Sequence, residues 1–314
     1  MLSPARKHRP KTSRTRLPAV LGGLLAAAAI ATLTAPAAQA DTGAGSYVAL
    51  GDSYAAGALV PNQSGGLCLR SDQNYGHLVA AALKSTSYTD VTCSAAKIRH
   101  LTEAQYGVYQ PQLNALAANT SLVTLGIGGN DLGVSDLGVA ELIATCVGGA
   151  VVNPFGTPCK DVYADGHWAW RDWQFQWVYG EDKLRTRIAD AAPQLADGLR
   201  RIHAKSPNAK VLLVGYPSVV PAVGTNCIGR QPVTSGDVEY LHGVLSDLNA
   251  MLARTAAANG ATYVDTATPT KGHDACSDTP WIEGLLPSSP AAPFHPNAAG
   301  EKAMAGAVLK VLGK

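Results

Sequence analysis

The sequence predicts a single α/β domain built on a parallel sheet, and three observations carry that reading. Short apolar runs at residues 47–50, 88–92, 121–125, 210–215 and 261–265 alternate with stretches of helical spacing. Most of these runs stop at glycine, cysteine or a small polar residue, as strands do when they hand over to a loop. No internal repeat or composition shift divides the chain, and its 314 residues, 46% hydrophobic and 15% charged, suffice for one sizeable core. Alternating strands and helices in one domain imply a parallel sheet with helices on both faces.

The first forty residues read differently from the rest. Arg6, Lys7, Arg9, Lys11, Arg14 and Arg16 precede an apolar run at 19–33, and Ala38-Gln39-Ala40 closes the segment. Basic stretch, apolar core and A-x-A ending are the three parts of a secretory signal. The apolar run falls short of the roughly 20 residues a membrane span needs, which favours a cleaved signal over an anchor. Residues 1–40 are therefore expected to be a signal peptide, and 41–314 a secreted, extracellular domain with no integral membrane segment. Without those six cations the 25 lysines and arginines fall to 19 against 23 acids, a net of −4. That balance excludes a nucleic-acid partner.

Six cysteines, all after residue 40, suit an oxidising compartment. No two are spaced C-x-x-C, which argues against zinc or a redox motif, and no metal or cofactor is expected. Sequential pairing, Cys68–Cys93, Cys146–Cys159 and Cys227–Cys276, is the simplest arrangement, each bond closing a local loop. Chain entropy gives such a loop roughly 3 kcal/mol of stabilisation. Other pairings stay open at this level.

After the first strand, residues 60–74 read as loop and 75–84 as helix. Residues 101–118 have mostly helical character, interrupted by Pro111. A helix is expected over 136–148, with Asp136 as a candidate N-cap. Residues 153–179 are irregular and hold four of the five tryptophans, Trp168, Trp170, Trp173 and Trp177. Three of these (170, 173 and 177) share a helical face, either packed on the domain body or walling an acyl site, where indole combines apolar area with a polar handle. Residues 181–205 form a long helix kinked or divided at Pro193. An amphipathic helix spans 237–259. The Pro-, Ser- and Gly-rich loop 270–293 is long enough to be functional, and it delivers Phe294-His295-Pro296-Asn297. Asn297 or a neighbour opens the last helix.

Three polar groups fall at strand ends or in that loop: Gly51-Asp52-Ser53, Gly128-Gly129-Asn130-Asp131 and His295-Pro296-Asn297. Each alone is a common cap or turn. Together they supply a hydroxyl, an amide and an imidazole at the C-terminal edge of a parallel sheet, where α/β folds place ligands. A serine oxygen becomes a useful nucleophile when a base takes its proton, and the imidazole of His295 titrates near neutrality. The elbow G-x-S-x-G is absent because Ala55 replaces its second glycine. Asp52 and Asp131 are read as turn or cap residues, and His273-Asp274 as loop structure beside Cys276.

GDSYAAG, GGND and HPN resemble the sequence blocks of the SGNH/GDSL hydrolases, over about Tyr47 to Gly300. The cysteines, Gly215-Tyr216-Pro217 and the FHPN ending are similar to the actinobacterial secreted lipase/esterase branch. The resemblance implies a flavodoxin-like three-layer α/β/α sandwich with about five parallel strands. It also implies an oxyanion hole from the Ser53 N–H, the Asn130 side-chain amide and a third backbone N–H, which falls at Ala95, where the family has glycine. The family aspartate three residues before the histidine is replaced by Ala292. The Ala292 carbonyl is then the expected acceptor for His295 Nδ1–H, with Asp265, Asp274 and Asp278 as alternatives.

The function expected is ester hydrolysis through a Ser53 acyl-enzyme with His295 as base, on fatty-acyl esters such as acylglycerols. Phospholipase A-type, carbohydrate-acyl esterase and thioesterase activities use the same site. A non-catalytic binding module is the alternative from another class. The protein is expected to act as a monomer on an ester or lipid substrate.

Overall fold

A computed structural model describes residues 45–314, and the expected signal segment lies outside them. In chain order the elements are β1 (Ser46–Gly51), α1 (Ser53–Ala56), α2 (Tyr75–Leu83), β2 (Ser87–Asp90), β3 (Thr120–Gly126), α3 (Val139–Val152), α4 (Pro158–Tyr163), β4 (His167–Arg171), β5 (Gln174–Val178), α5 (Lys183–Lys205), β6 (Lys210–Val214), α6 (Ser235–Ala258), β7 (Thr262–Val264), α7 (Ala267–Thr270) and α8 (Ala298–Val311).

Five strands form one sheet in the order β2-β1-β3-β6-β7. Every neighbouring pair is parallel. This is the flavodoxin-like order, whose switch point lies between the C-terminal ends of β1 and β3. Strand side chains alternate between two apolar layers. Val48, Leu50, Val123, Leu125, Val211 and Leu213 face α5 and α6, while Tyr47, Ala49, Leu122, Leu212 and Val214 face α2 and α8. Both faces being covered explains why the central strands β1, β3 and β6 read as continuous apolar runs rather than alternating ones.

The helices have local causes. Asn74 caps α2 by accepting from His77 N–H at 2.9 Å. Asp182 caps α5 by accepting from Leu184 N–H at 3.1 Å and Arg185 N–H at 3.2 Å. That helix runs unbroken through Pro193. The cysteines join as Cys68–Cys93, Cys146–Cys159 and Cys227–Cys276. Among the described residues no helix is long and apolar enough to cross a membrane.

Three further expectations about the elements fail. Residues 101–118 carry only short 3-10 turns, Ile98–Leu101 and Gln112–Ala115. Pro111 and the Gln105–Tyr109 bridge prevent a longer helix. Helix α3 starts at Val139 behind Gly138 rather than at Asp136, because Asp136 instead pairs with Arg99 at 2.5 Å. The tryptophan segment is an antiparallel hairpin, β4–β5, with Trp168 opposite Trp177 and Trp170 opposite Phe175. Aromatic residues at every second position favour strand over helix here. The rings are exposed instead of packed on the domain body.

Candidate active site

The site assembles at the C-terminal ends of β1 and β3. Gly51 ends β1, and Gln112 holds it by both amide atoms, accepting from Gly51 N–H at 2.8 Å and donating to Gly51 O at 2.9 Å. Asp52 then caps the single turn α1 by accepting from Tyr54 N–H at 3.0 Å, and Ser53 is the first residue of that turn.

Opposite it, His295 arrives from the 271–296 loop. Glu283 N–H donates to His295 O at 3.0 Å and Asn297 N–H to Trp281 O at 2.9 Å. Asn297 both caps α8, accepting from Ala299 and Gly300 N–H at 2.9 and 3.2 Å, and donates to buried Glu283 at 2.7 Å. Tyr54 joins the two halves. Its hydroxyl donates to Phe294 O at 2.6 Å, and its ring lies 4.5 Å from the His295 ring at 31°.

His295 Nε2 lies 2.7 Å from Ser53 Oγ. On the other side, Nδ1 lies 2.7 Å from Pro293 O. A carbonyl oxygen only accepts, so Nδ1 carries the proton and the Nε2 lone pair accepts from the Ser53 hydroxyl. The expected acceptor, Ala292 O, does not fill this role. It is taken by the His295 backbone N–H at 3.1 Å, and the left-handed Phe294 (φ 58°) turns the next carbonyl, that of Pro293, toward the ring. None of the three aspartates bonds the imidazole. Asp265 accepts from Ala267 and Thr268 N–H, Asp274 from Cys276 N–H, and Asp278 pairs with Arg230. Burial holds His295 down at about 4, opposed only by the Pro293 hydrogen bond. The imidazole is therefore neutral at pH 7.

The other two motifs meet here as well. Asn130 is buried, donates to Ala96 O at 3.0 Å and accepts from Val139 N–H at 3.1 Å. Its amide has a second N–H to offer. Gly138 is required beside it, because its φ is +57° and a Cβ there would stand 2.2 Å from Asn130 Oδ1. The turn 93–96 is drawn to the same place by Cys93 N–H donating to Gly51 O at 3.0 Å. Within it Ala95 has φ 62°, the left-handed region where glycine is at ease. Among the described residues neither the Ser53 nor the Ala95 amide N–H has an acceptor.

Left-handed alanine costs roughly 1–2 kcal/mol, and glycine recovers this less its extra chain entropy. Ala95→Gly should therefore raise stability by about 0.5–1 kcal/mol and the melting temperature by about 1–3 °C. Calorimetry checks it, and a lower melting temperature contradicts it.

Sequence reasoning missed how Tyr216 acts, although Gly215-Tyr216-Pro217 stood out in the chain. The Tyr216 hydroxyl donates to Asp52 Oδ2 at 2.5 Å and accepts from Gly129 N–H at 2.6 Å, linking the loops that carry Ser53 and Asn130. Asp52 is pushed up to about 7 by burial, opposed by its hydrogen bonds to Tyr216 and Tyr54.

From Ser53 and Asn130 an apolar cleft of about 110 Å³ runs between α3 and α6. Val139, Leu142, Ile143, Cys146 and Val147 line one side and Val238, Leu241, Val244, Leu245 and Leu248 the other. These are i, i+3, i+4, i+7 sets, the apolar stripes of two facing helices. Polar groups gather at the serine end, with Gln231 as an exception.

A hydroxyl hydrogen-bonded to a histidine, spare amide donors and an apolar cleft thus sit together at the switch point of a flavodoxin-like sheet. Residues 49–303 match the GDSL-like Lipase/Acylhydrolase family. The chain is 39% identical to Lipase 2 of Streptomyces coelicolor over 300 residues, covering 94% of this chain and 95% of that protein. Among solved structures, it resembles an extracellular lipase from Streptomyces rimosus with TM-score 0.67 and 27% identity, covering 86% of this chain and 99% of the other. It also resembles phospholipase A1 from Streptomyces albidoflavus, with TM-score 0.62 and 29% identity over 86% and 98% of the two chains. The chain belongs to the GDSL/SGNH lipase family and is a carboxylic ester hydrolase.

Proposed function

We propose that this protein is a secreted lipase/esterase that cleaves medium- to long-chain fatty-acyl esters through an acyl-enzyme on Ser53. The observation that carries the reading is the relay Ser53 Oγ, His295 and Pro293 O opening into an apolar cleft. Secretion is supported by the composition of residues 1–40, by three disulfides, and by the extracellular lipase it resembles.

In this reading the neutral imidazole takes the Ser53 proton on Nε2 as Oγ attacks the ester carbonyl. The Nδ1–H stays bonded to Pro293 O, which fixes the tautomer and the ring. The developing oxyanion meets the Ser53 N–H, the Ala95 N–H and the Asn130 amide, donors already in place before charge appears. The imidazolium then gives its proton to the leaving alkoxide, and the ester becomes an alcohol and an acyl-serine. Water repeats the sequence and releases the fatty acid.

The resemblance to a phospholipase A1 favours a second reading, in which the same site cleaves phospholipid acyl esters. Carbohydrate acetyl groups are a poorer match, since an acetyl leaves most of the cleft wetted.

Each buried methylene adds roughly 0.8 kcal/mol. On p-nitrophenyl esters, octanoate and decanoate should therefore exceed acetate in kcat/KM by about 10²-fold or more. Leu245→Trp, which fills the cleft from α6, should move the optimum toward butyrate. An acetate-preferring profile contradicts the reading.

A further inference from the structure

We infer that the β4–β5 hairpin is a docking element for an uncharged or zwitterionic ester-lipid surface. The inference rests on the lipid-ester reading above.

The hairpin is amphipathic in the strand sense. Its cross-strand pairs put Trp168, Trp170, Phe175 and Trp177 on one face, and His167, Ala169, Arg171, Gln174, Gln176 and Val178 on the other. All four rings are exposed. They pack on one another, Trp168 against Phe175 at 5.8 Å and against Trp177 at 5.7 Å. Two strands with an uncovered aromatic face are marginal in water. The surrounding chain is also apolar at its surface: of nineteen exposed large hydrophobics among the described residues, twelve lie between Val134 and Tyr179, including Phe155 at 99% exposure. Exposed apolar surface concentrated in this way marks an interaction site.

A second observation lies at the tip. The two-residue turn Asp172-Trp173 has both φ values positive, at 49° and 62°. That is a type I′ pattern, which favours Asn-Gly or Asp-Gly. Trp173 occupies the glycine position and projects 89% exposed. A bulky residue held left-handed in open solvent makes the turn less favourable and gains nothing from packing. Insertion of the indole at a lipid–water boundary explains it, since tryptophan concentrates there.

Charge selects the kind of surface. Residues 151–180 contain two cations, Lys160 and Arg171, against Asp161, Asp165 and Asp172. Such a segment has no electrostatic reason to seek an anionic membrane. A glycan fits less well, because beyond the indole N–H groups the aromatic face carries no polar side chain to bond sugar hydroxyls. The hairpin is also tied to one wall of the cleft through α4. Trp177 Nε1 donates to Asp161 in α4 at 3.3 Å, and Cys146–Cys159 staples α4 to α3, whose inner face lines the cleft.

The test uses the mature protein as Ser53→Ala, mixed with phosphatidylcholine vesicles. The protein should float with the vesicles, its tryptophan emission should shift to the blue, and 0.5 M salt should not release it. Adding Trp173→Gly, which suits the turn, should weaken vesicle affinity about tenfold without lowering the melting temperature. Trp170→Ser/Phe175→Ser should do the same. In the Ser53 protein these changes should leave kcat/KM on soluble p-nitrophenyl butyrate unchanged and slow hydrolysis of a triacylglycerol emulsion. Unaltered vesicle affinity in both variants overturns the inference, as does binding to insoluble xylan in preference to vesicles, or a stable dimer that buries the hairpin. If Ser53→Ala still hydrolyses esters, the catalytic reading fails while the vesicle result stands.

Discussion

Ser53→Ala is expected to lower kcat/KM on p-nitrophenyl butyrate by roughly 10⁵-fold or more. It should leave folding nearly intact, because the hydroxyl bonds only His295 among the described side chains. No neighbour stands in as nucleophile. Ser94, on the 93–96 turn, is buried and has no hydrogen-bond partner for its hydroxyl, so no base takes its proton. A fluorophosphonate should accordingly label the native protein once, at Ser53, and leave the alanine variant unlabelled. Steady-state kinetics and peptide mapping check both halves, and full activity in the variant contradicts the mechanism.

His295→Ala is expected to cost a comparable factor, about 10⁴- to 10⁶-fold, and the double variant little more than either alone, because the pair acts as a unit. In the proposed mechanism the imidazole activates the serine, donates to the leaving group and activates water, so its loss would stall every proton transfer. Alanine scanning of Asp265, Asp274 and Asp278 separates this dyad from a conventional triad. Their carboxylates are committed to caps and to Arg230. None should approach the roughly 10⁴-fold loss that follows removal of a carboxylate that orients the base. A loss of that size at any one of them would place a carboxylate behind the histidine.

Much of this was legible in the chain, and the exceptions have physical causes. The three central strands were readable because burial on both faces leaves continuous apolar runs, as at Leu122–Leu125 and Val211–Val214, while the edge strands β2 and β7 are partly exposed. Ser53, Asn130 and His295, which the fold brings to one place, stood out as candidates because each sits in a short motif at a strand end or loop exit. What depends on how the backbone turns was hidden. Which carbonyl faces Nδ1 is decided by the left-handed Phe294, which moves the role from Ala292 to Pro293. The link that Tyr216 makes between Asp52 and Gly129 spans 164 and 87 residues of chain, and no local pattern announces it. The β4–β5 segment misleads for another reason. Tryptophans 170, 173 and 177 match a helical period by coincidence, while the two-residue turn at Asp172-Trp173 lacks the glycine that signals a hairpin.

The central claim is a buried, neutral histidine supported by a carbonyl alone, and pH tests it. Proton uptake by His295 opposes activity, so kcat/KM should rise through the histidine's own titration and then stay flat. Folding stability is a poor readout. His295, lowered in the fold from 6.5 to about 4, makes the protein less stable as pH falls between those values. Asp52, raised from 3.8 to about 7, makes it more stable over the same range. The direct measurement is kcat/KM for p-nitrophenyl butyrate from pH 3.5 to 8, with activity checked on return to pH 7. The account predicts an acid limb with an apparent pKa of about 4 to 5 and a plateau above it. An acid limb centred at or above 6.5, where a solvated or carboxylate-backed imidazole titrates, would contradict it.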